Sequence, residues 1–250
     1  MITKRVAVFA ALQWECRAVL HALRNVRRDR LEAVPCWVGT VPGLEVWVMK
    51  TGIGVRRAET AAAVAAGSSA FAVYISTGCA GALQPDLRAG DLAFATAVCG
   101  HGIDGELLTD GAYRTRATAA AAAAGLRGIE GPILCSAEVL ATIEQKRAAA
   151  ACGAIAVDME GGPIAARAAA ARVPFVAVRA VLDSAADELH VAGDFLDGAT
   201  GCVRPMALAR YVAMRPGAIP QLVALSRMQR AARDSLERFF THWLAAPAWQ

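Results

Sequence analysis

Six short apolar runs constrain this chain more than any other feature: VAVFAA (6–11), VWVMK (46–50), VYIST (73–77), DLAFATAV (91–98), AIAVD (154–158) and FVAVRAV (175–181). A strand buried on both faces reads as a continuous apolar run, whereas a strand with one face in water alternates. Helix-like stretches at 14–24, 55–66, 138–151 and 161–171 separate several of these runs. Alternation of the two predicts a three-layer α/β/α domain whose central mixed sheet is mainly parallel. With 250 residues, 56% of them hydrophobic, the chain has material for one sizeable core, and a single domain over 1–250 is expected.

Composition removes several classes. No apolar run reaches the roughly 18 residues a spanning helix needs. The start, MITKRVAVFAALQWE, joins basic residues to an apolar run like a secretory signal, yet it meets Glu15 at once and lacks a small-residue cleavage site. A first core strand is the better reading. Seven cysteines are scattered without a C-x-x-C pair, which points to a reduced, cytoplasmic protein and to no metal site or cofactor. The net charge of +4 is uneven: residues 201–250 hold seven Arg against Asp234 and Glu237, leaving the first 200 residues near neutral. No basic face with interleaved aromatics appears, so nucleic acid is not the expected partner.

Gly-rich turns follow three of the runs: TGIG (51–54), TGCAG (77–81) and MEGG (159–162). In a parallel sheet, ligands bind at the carboxyl ends of the strands, so these turns should meet at one crevice. Gly52-Ile53-Gly54 alone reads as a tight turn before a helix. The carboxylates say more. Alternate residues of a strand share a face, so Asp158 and Glu160 should point together and accept two hydrogen bonds from a vicinal diol such as a ribose. Asp158 alone would also fit favourable charge at a helix N-terminus. Asp183 and Glu15 stand at the ends of two further runs.

The ordered set AALQWE (10–15), TGIG, STGCAGAL (76–83) with Gly90-Asp91, AVDMEG (156–161) and VPFVAVRAVLDSAAD (173–187) resembles the nucleoside phosphorylase superfamily. Its nearest branch looks like the nucleosidases that cleave methylthioadenosine and adenosylhomocysteine. The resemblance implies that Glu160 binds the ribose hydroxyls, Met159 packs on the sugar, and Asp183 protonates the departing purine. Glu15 would position the attacking water. Cys79, Ala80 and Gly81 match the turn beside the purine, Val139 and Leu140 flank the base, and Leu12 and Ile53 line the pocket beyond the ribose 5′ carbon. Protonating a ring nitrogen is what lets a poor leaving group such as adenine depart, and a carboxyl acting as that acid needs a pKa raised by burial.

Two departures stand out. Leu182 occupies a position commonly Ser in nucleosidases, so whatever orients Asp183 must come from elsewhere, and Cys79 replaces another customary Ser. Ser76 stands where the superfamily's phosphorylases carry a phosphate-binding Arg; with Glu15 this favours water, while Arg17 and Arg56 leave phosphorolysis open. The tail, a basic amphipathic segment at about 203–245, sets Leu222, Leu225, Met228, Ala232, Leu236, Phe239 and Trp243 on one helical stripe opposite Arg227, Arg230 and Arg238. Packing on the sheet explains such a stripe, and so does binding to anionic lipid at a membrane surface. The tail and the QWE variant resemble the hopanoid-associated phosphorylases, which implies adenosylhopane, a lipid-linked nucleoside, as substrate. The family resemblance also implies a homodimer.

Overall fold

The structure, a computed structural model, describes residues 4–68, 71–189, 204–246 and 249. Its centre is a mixed sheet. Strand β1 (Lys4–Ala10) pairs in parallel with β4 (Leu44–Lys50) on one side and β5 (Val73–Ala82) on the other. β5 pairs in parallel with β10 (Phe175–Asp183), which lies antiparallel to β6 (Leu92–Gly100). Parallel pairs then join β6 to β8 (Gly128–Cys135) and β8 to β9 (Ala156–Asp158). β9 touches β5 again through Gly81 and Ala82. Beyond β4, an antiparallel meander adds β3 (Val34–Val41) and β2 (Arg24–Leu31). The Pro42-Gly43 turn between β3 and β4 works because Gly43 adopts φ +78°, which costs glycine nothing. A short β7 (Glu106–Leu108) pairs with β6.

Both faces of the sheet are covered, as continuous apolar strands require. Along β1, Val6, Val8 and Ala10 join one core cluster while Ala7 and Phe9 join the other, the two-residue period of a strand between two layers. The first cluster lies under α1 (Gln13–Leu20), α3 (Gly111–Ala123) and α7 (Ile219–Ala245); the second lies under α2 (Val55–Ser68) and α5 (Gly161–Ala171). α4 (Ile143–Ala150) and α6 (Pro205–Met214) complete the described helices.

The tail divides in two. In the second half of α7, Ala232, Leu236, Phe239, Phe240, Trp243 and Leu244 are buried, and Phe239 meets Phe94 of β6 edge to face with ring centres 5.8 Å apart. Trp249 donates to the Trp243 carbonyl at 2.7 Å, and Arg238, expected on the solvent face, reaches the Ala124 carbonyl. In the first half, Leu222, Leu225 and Met228 are half-buried, while Arg227 and Arg230 are exposed. Among the described residues no helix is long and apolar enough to cross a membrane.

Candidate active site

The carboxyl ends of β1, β5, β9 and β10 enclose a cavity of about 180 Å³. All twelve residues singled out from the sequence line it: Leu12, Glu15, Ile53, Cys79, Ala80, Gly81, Val139, Leu140, Asp158, Met159, Glu160 and Asp183. Ala11, Glu138, Val157, Leu182 and Leu189 complete the wall. The sheet explains the convergence, since parallel strands deliver their following turns to one edge.

Glu15 sits in the first turn of α1, buried, and uses both oxygens. Oε2 accepts from the amides of Leu12 at 2.8 Å and Ala11 at 3.0 Å, and Oε1 accepts from the Cys79 amide at 2.9 Å. Burial nevertheless outweighs these donors and raises its pKa above the ordinary glutamate value. The approach of α1 to β5 requires a glycine: Gly78 has φ +146°, and a Cβ there would lie 2.8 Å from Glu15 Oε1.

The expected pairing of Asp158 and Glu160 on one strand face is corrected by the structure. β9 ends at Asp158, and Glu160 is the residue before α5 with φ −128° and ψ −22°, so the strand alternation stops between them. Asp158 faces inward, forming a buried ion pair with Arg179 and accepting from the Gly161 amide at 3.0 Å. It does the work of a helix N-terminal acceptor, the simpler of the two readings. Arg179 also donates to Ser76 Oγ at 2.7 Å. Glu160 instead turns to the loop before α2, where Oε1 accepts from the Gly54 amide at 2.7 Å. Burial, reinforced by the charge of Asp158, pushes its carboxyl up to about 7.

Asp183, the last residue of β10, is buried, and burial raises its pKa against the opposing pull of Lys146. Lys146 escaped the sequence reading. Its Nζ contacts Asp183 Oδ2 and donates to the carbonyls of Ser184 and Asp187, each at 2.8 Å. No pattern marks this lysine, because TIEQKRAAA reads as a solvent-facing helix. Leu182, where a serine was expected to help, instead lines the cavity and packs against the apolar core. Arg17 and Arg56 are exposed and lie outside the cavity wall. Among the described residues, no cluster of His, Cys, Asp or Glu is arranged to hold a metal.

A mixed sheet with helices on both faces, and an acid-lined cavity where its turns converge, define a nucleoside phosphorylase-like α/β protein. The chain belongs to the Phosphorylase superfamily, whose model matches residues 5–201. The 5′-methylthioadenosine/S-adenosylhomocysteine nucleosidase of Glaesserella parasuis is 26% identical over 212 residues, covering 76% of this chain and 90% of that protein. The match to the nucleosidase of the same name from Buchnera aphidicola is 25% identical over 100 residues, so this chain spans 40% of that relative's length. Among solved structures, the Neisseria meningitidis nucleosidase in complex with methylthio-immucillin-A aligns at a TM-score of 0.77 and 21% identity, over 97% of this chain and 99% of that one. The futalosine hydrolase of Helicobacter pylori aligns at 0.72 and 17% identity, over 95% and 97%.

Proposed function

We propose that this protein releases adenine from an adenosine carrying an apolar 5′ substituent, with water as the nucleophile. The observation that carries the reading is the pair of buried acids, Glu15 and Asp183, in the wall of one cavity with Glu160. Protonated Asp183 gives its proton to ring nitrogen seven of the base, and the electrons of the glycosidic bond leave with adenine. Water attacks the oxocarbenium-like sugar carbon, and its proton passes to ionised Glu15. Glu160 accepts from the ribose hydroxyls, Met159 packs on the sugar, and Val139 and Leu140 flank the base beside the Cys79–Gly81 turn. Water is favoured over phosphate because Arg179 and Lys146, the buried cations beside the acids, are already committed to Asp158 and Asp183.

Leu12 and Ile53 give the far end of the cavity an apolar character suited to methylthioadenosine, the reading that the relatives favour. A bulkier lipid substituent such as hopane is supported by one observation. Leu189 borders both the cavity and a neighbouring groove lined by Tyr211, Ala218, Leu222, Leu225 and Met228 together with Glu188 and Gln221. The test is adenine release from methylthioadenosine, adenosylhomocysteine and a long-chain 5′-alkyl adenosine, each with and without phosphate. Phosphate-independent release is expected, lowered about a hundred- to ten-thousandfold in Asp183→Asn, with alkyl chains outrunning the charged homocysteine. Strict phosphate dependence refutes the water reading, and preference for methylthioadenosine over the long chain refutes the lipid one. Co-sedimentation with anionic vesicles at low and high salt tests a membrane role for Arg227 and Arg230. Light scattering in solution tests the homodimer.

A further inference from the structure

Lys146 is the one buried residue of α4. α4 packs the partly buried Ala149 and Ala150 against a small apolar cluster, yet its one fully buried side chain is a lysine, and ordering and desolvating an ammonium is costly unless each of its hydrogens finds an acceptor. Here the three acceptors are Asp183 Oδ2 and the carbonyls of Ser184 and Asp187, so every hydrogen of the ammonium is spent on the end of β10 and the turn after it. α4 is set for this task by a capping box: Gln145 N donates to Thr142 Oγ1 at 3.2 Å, and the Gln145 side chain accepts from the Thr142 amide at 3.0 Å. Ser184 N in turn donates to Asp187 Oδ2 at 2.8 Å, closing the turn that Lys146 holds.

We propose that Lys146 is a positioning residue for the acid Asp183: it fixes Oδ2, leaves Oδ1 to carry the transferable proton, and stabilises the carboxylate that remains once the proton has gone. The inference rests on the reading of Asp183 as the acid. It fills the place left by Leu182, which has no polar group to orient its neighbour. The proton moves from Asp183 Oδ1 to the base nitrogen as the glycosidic electrons leave with the base; Lys146 keeps its own protons throughout. Its role is to set the strength of the acid. Burial alone would leave Asp183 a poor donor, reluctant to become an anion, and a fixed cation beside it offsets that reluctance without exposing the site to water.

The decisive experiment follows the Asp183 carboxyl carbon by NMR through a pH titration in the wild type and in Lys146→Met, alongside steady-state kinetics. Removing the cation should move the Asp183 midpoint upward by about one pH unit or more. It should lower kcat about ten- to hundredfold with KM changed little, and carry the alkaline limb of the kcat profile to higher pH. In an Asp183→Asn background the same substitution should cost nothing further in kcat. Lys146→Gln, which keeps a donor but no charge, should show the same upward midpoint if the methionine variant does not fold. An unmoved Asp183 midpoint, or an equal kcat loss in the Asp183→Asn background, would overturn the proposal and leave Lys146 as a clamp on the turn. If the wild type releases no base from any nucleoside, the functional reading fails instead, while the titration still decides whether Lys146 governs Asp183.

Discussion

Replacing Gly78 by alanine tests whether the placement of Glu15, rather than its mere presence, matters. The new methyl would stand 2.8 Å from Glu15 Oε1 and 3.0 Å from its Cδ, where ordinary contact begins at 3.4 Å. The carboxylate must therefore retreat by roughly half an ångström, the difference between those contacts and an ordinary one. Retreat stretches the bond from the Cys79 amide, now 2.9 Å, to the edge of hydrogen-bonding range. The backbone objects separately, because φ +146° is a region that residues with a Cβ rarely adopt; such strain costs about 1–3 kcal/mol, or roughly 2–12 °C of melting temperature in a chain of this size. Displacing a catalytic group by a fraction of an ångström to an ångström costs up to about a hundredfold in rate. Thermal melting and adenine release should be measured together, with Gly105→Ala as the control. Gly105 has φ +77° with open space around it, so alanine there strains the backbone without touching Glu15. The expected result is a stability loss in both variants and a rate loss in Gly78→Ala alone. Wild-type kcat in a folded Gly78→Ala protein would refute the idea that Glu15 must be held where it is.

Glu160→Gln should cost about 1.5–3 kcal/mol in transition-state binding, and the cost should shrink on a 2′-deoxy substrate; equal cost on both substrates would remove Glu160 from the diol. The same variant has a pH signature. The folded pKa of Glu160, about 7, lies above its ordinary 4.5, so its contribution to stability is present below 4.5 and is lost as pH rises through 7. Melting curves of the unliganded wild type should thus fall relative to Glu160→Gln across that window, and parallel curves would contradict it. Asp158→Asn strands the buried Arg179 guanidinium and should destabilise by about 3–5 kcal/mol in denaturant unfolding; a loss under 1 kcal/mol would show the pair is not needed. Trp243→Ala should cost about 3–5 kcal/mol by the same assay, and a near-neutral result would mean that α7 is not part of the core.

The sequence reading succeeded where burial on both sides forces a continuous apolar run. β1, β4, β5, β6, β9 and β10 were visible for that reason. β2, RNVRRDRL, was not, because an edge strand with mostly exposed side chains has no apolar signature. β8, GIEGPILC, was hidden by two glycines and an inserted Pro132. The helix expected at 138–151 begins only at Ile143, since Glu138, Val139 and Leu140 are drawn out to form the cavity wall. At the site, motif order brought twelve residues to one cavity, but pairwise geometry needed the fold. Strand alternation wrongly joined Asp158 to Glu160, because it cannot register a strand that ends between them. Lys146 was illegible for a simpler reason: a lysine in a polar helix looks the same whether its ammonium meets water or a buried aspartate.

Four of the five acids in the cavity wall are also its fasteners. Glu15 ties the start of α1 to β5, Glu160 ties the entrance of α5 to the Gly52–Gly54 turn, Asp158 ties β9 to β10 through Arg179, and Asp183 ties β10 to α4 through Lys146. Altering any of them disturbs two distant segments of chain at once, so drift at these positions is penalised twice, through chemistry and through folding. Leu12, Ile53, Val139, Leu140, Leu182 and Leu189 line the same space with apolar side chains that hold no ion pair or hydrogen bond. On the proposed reading of the site, a lineage carrying this fold can therefore exchange what hangs from the sugar while its bond-breaking apparatus stays locked in place. New substrates should be acquired by remodelling those six apolar side chains.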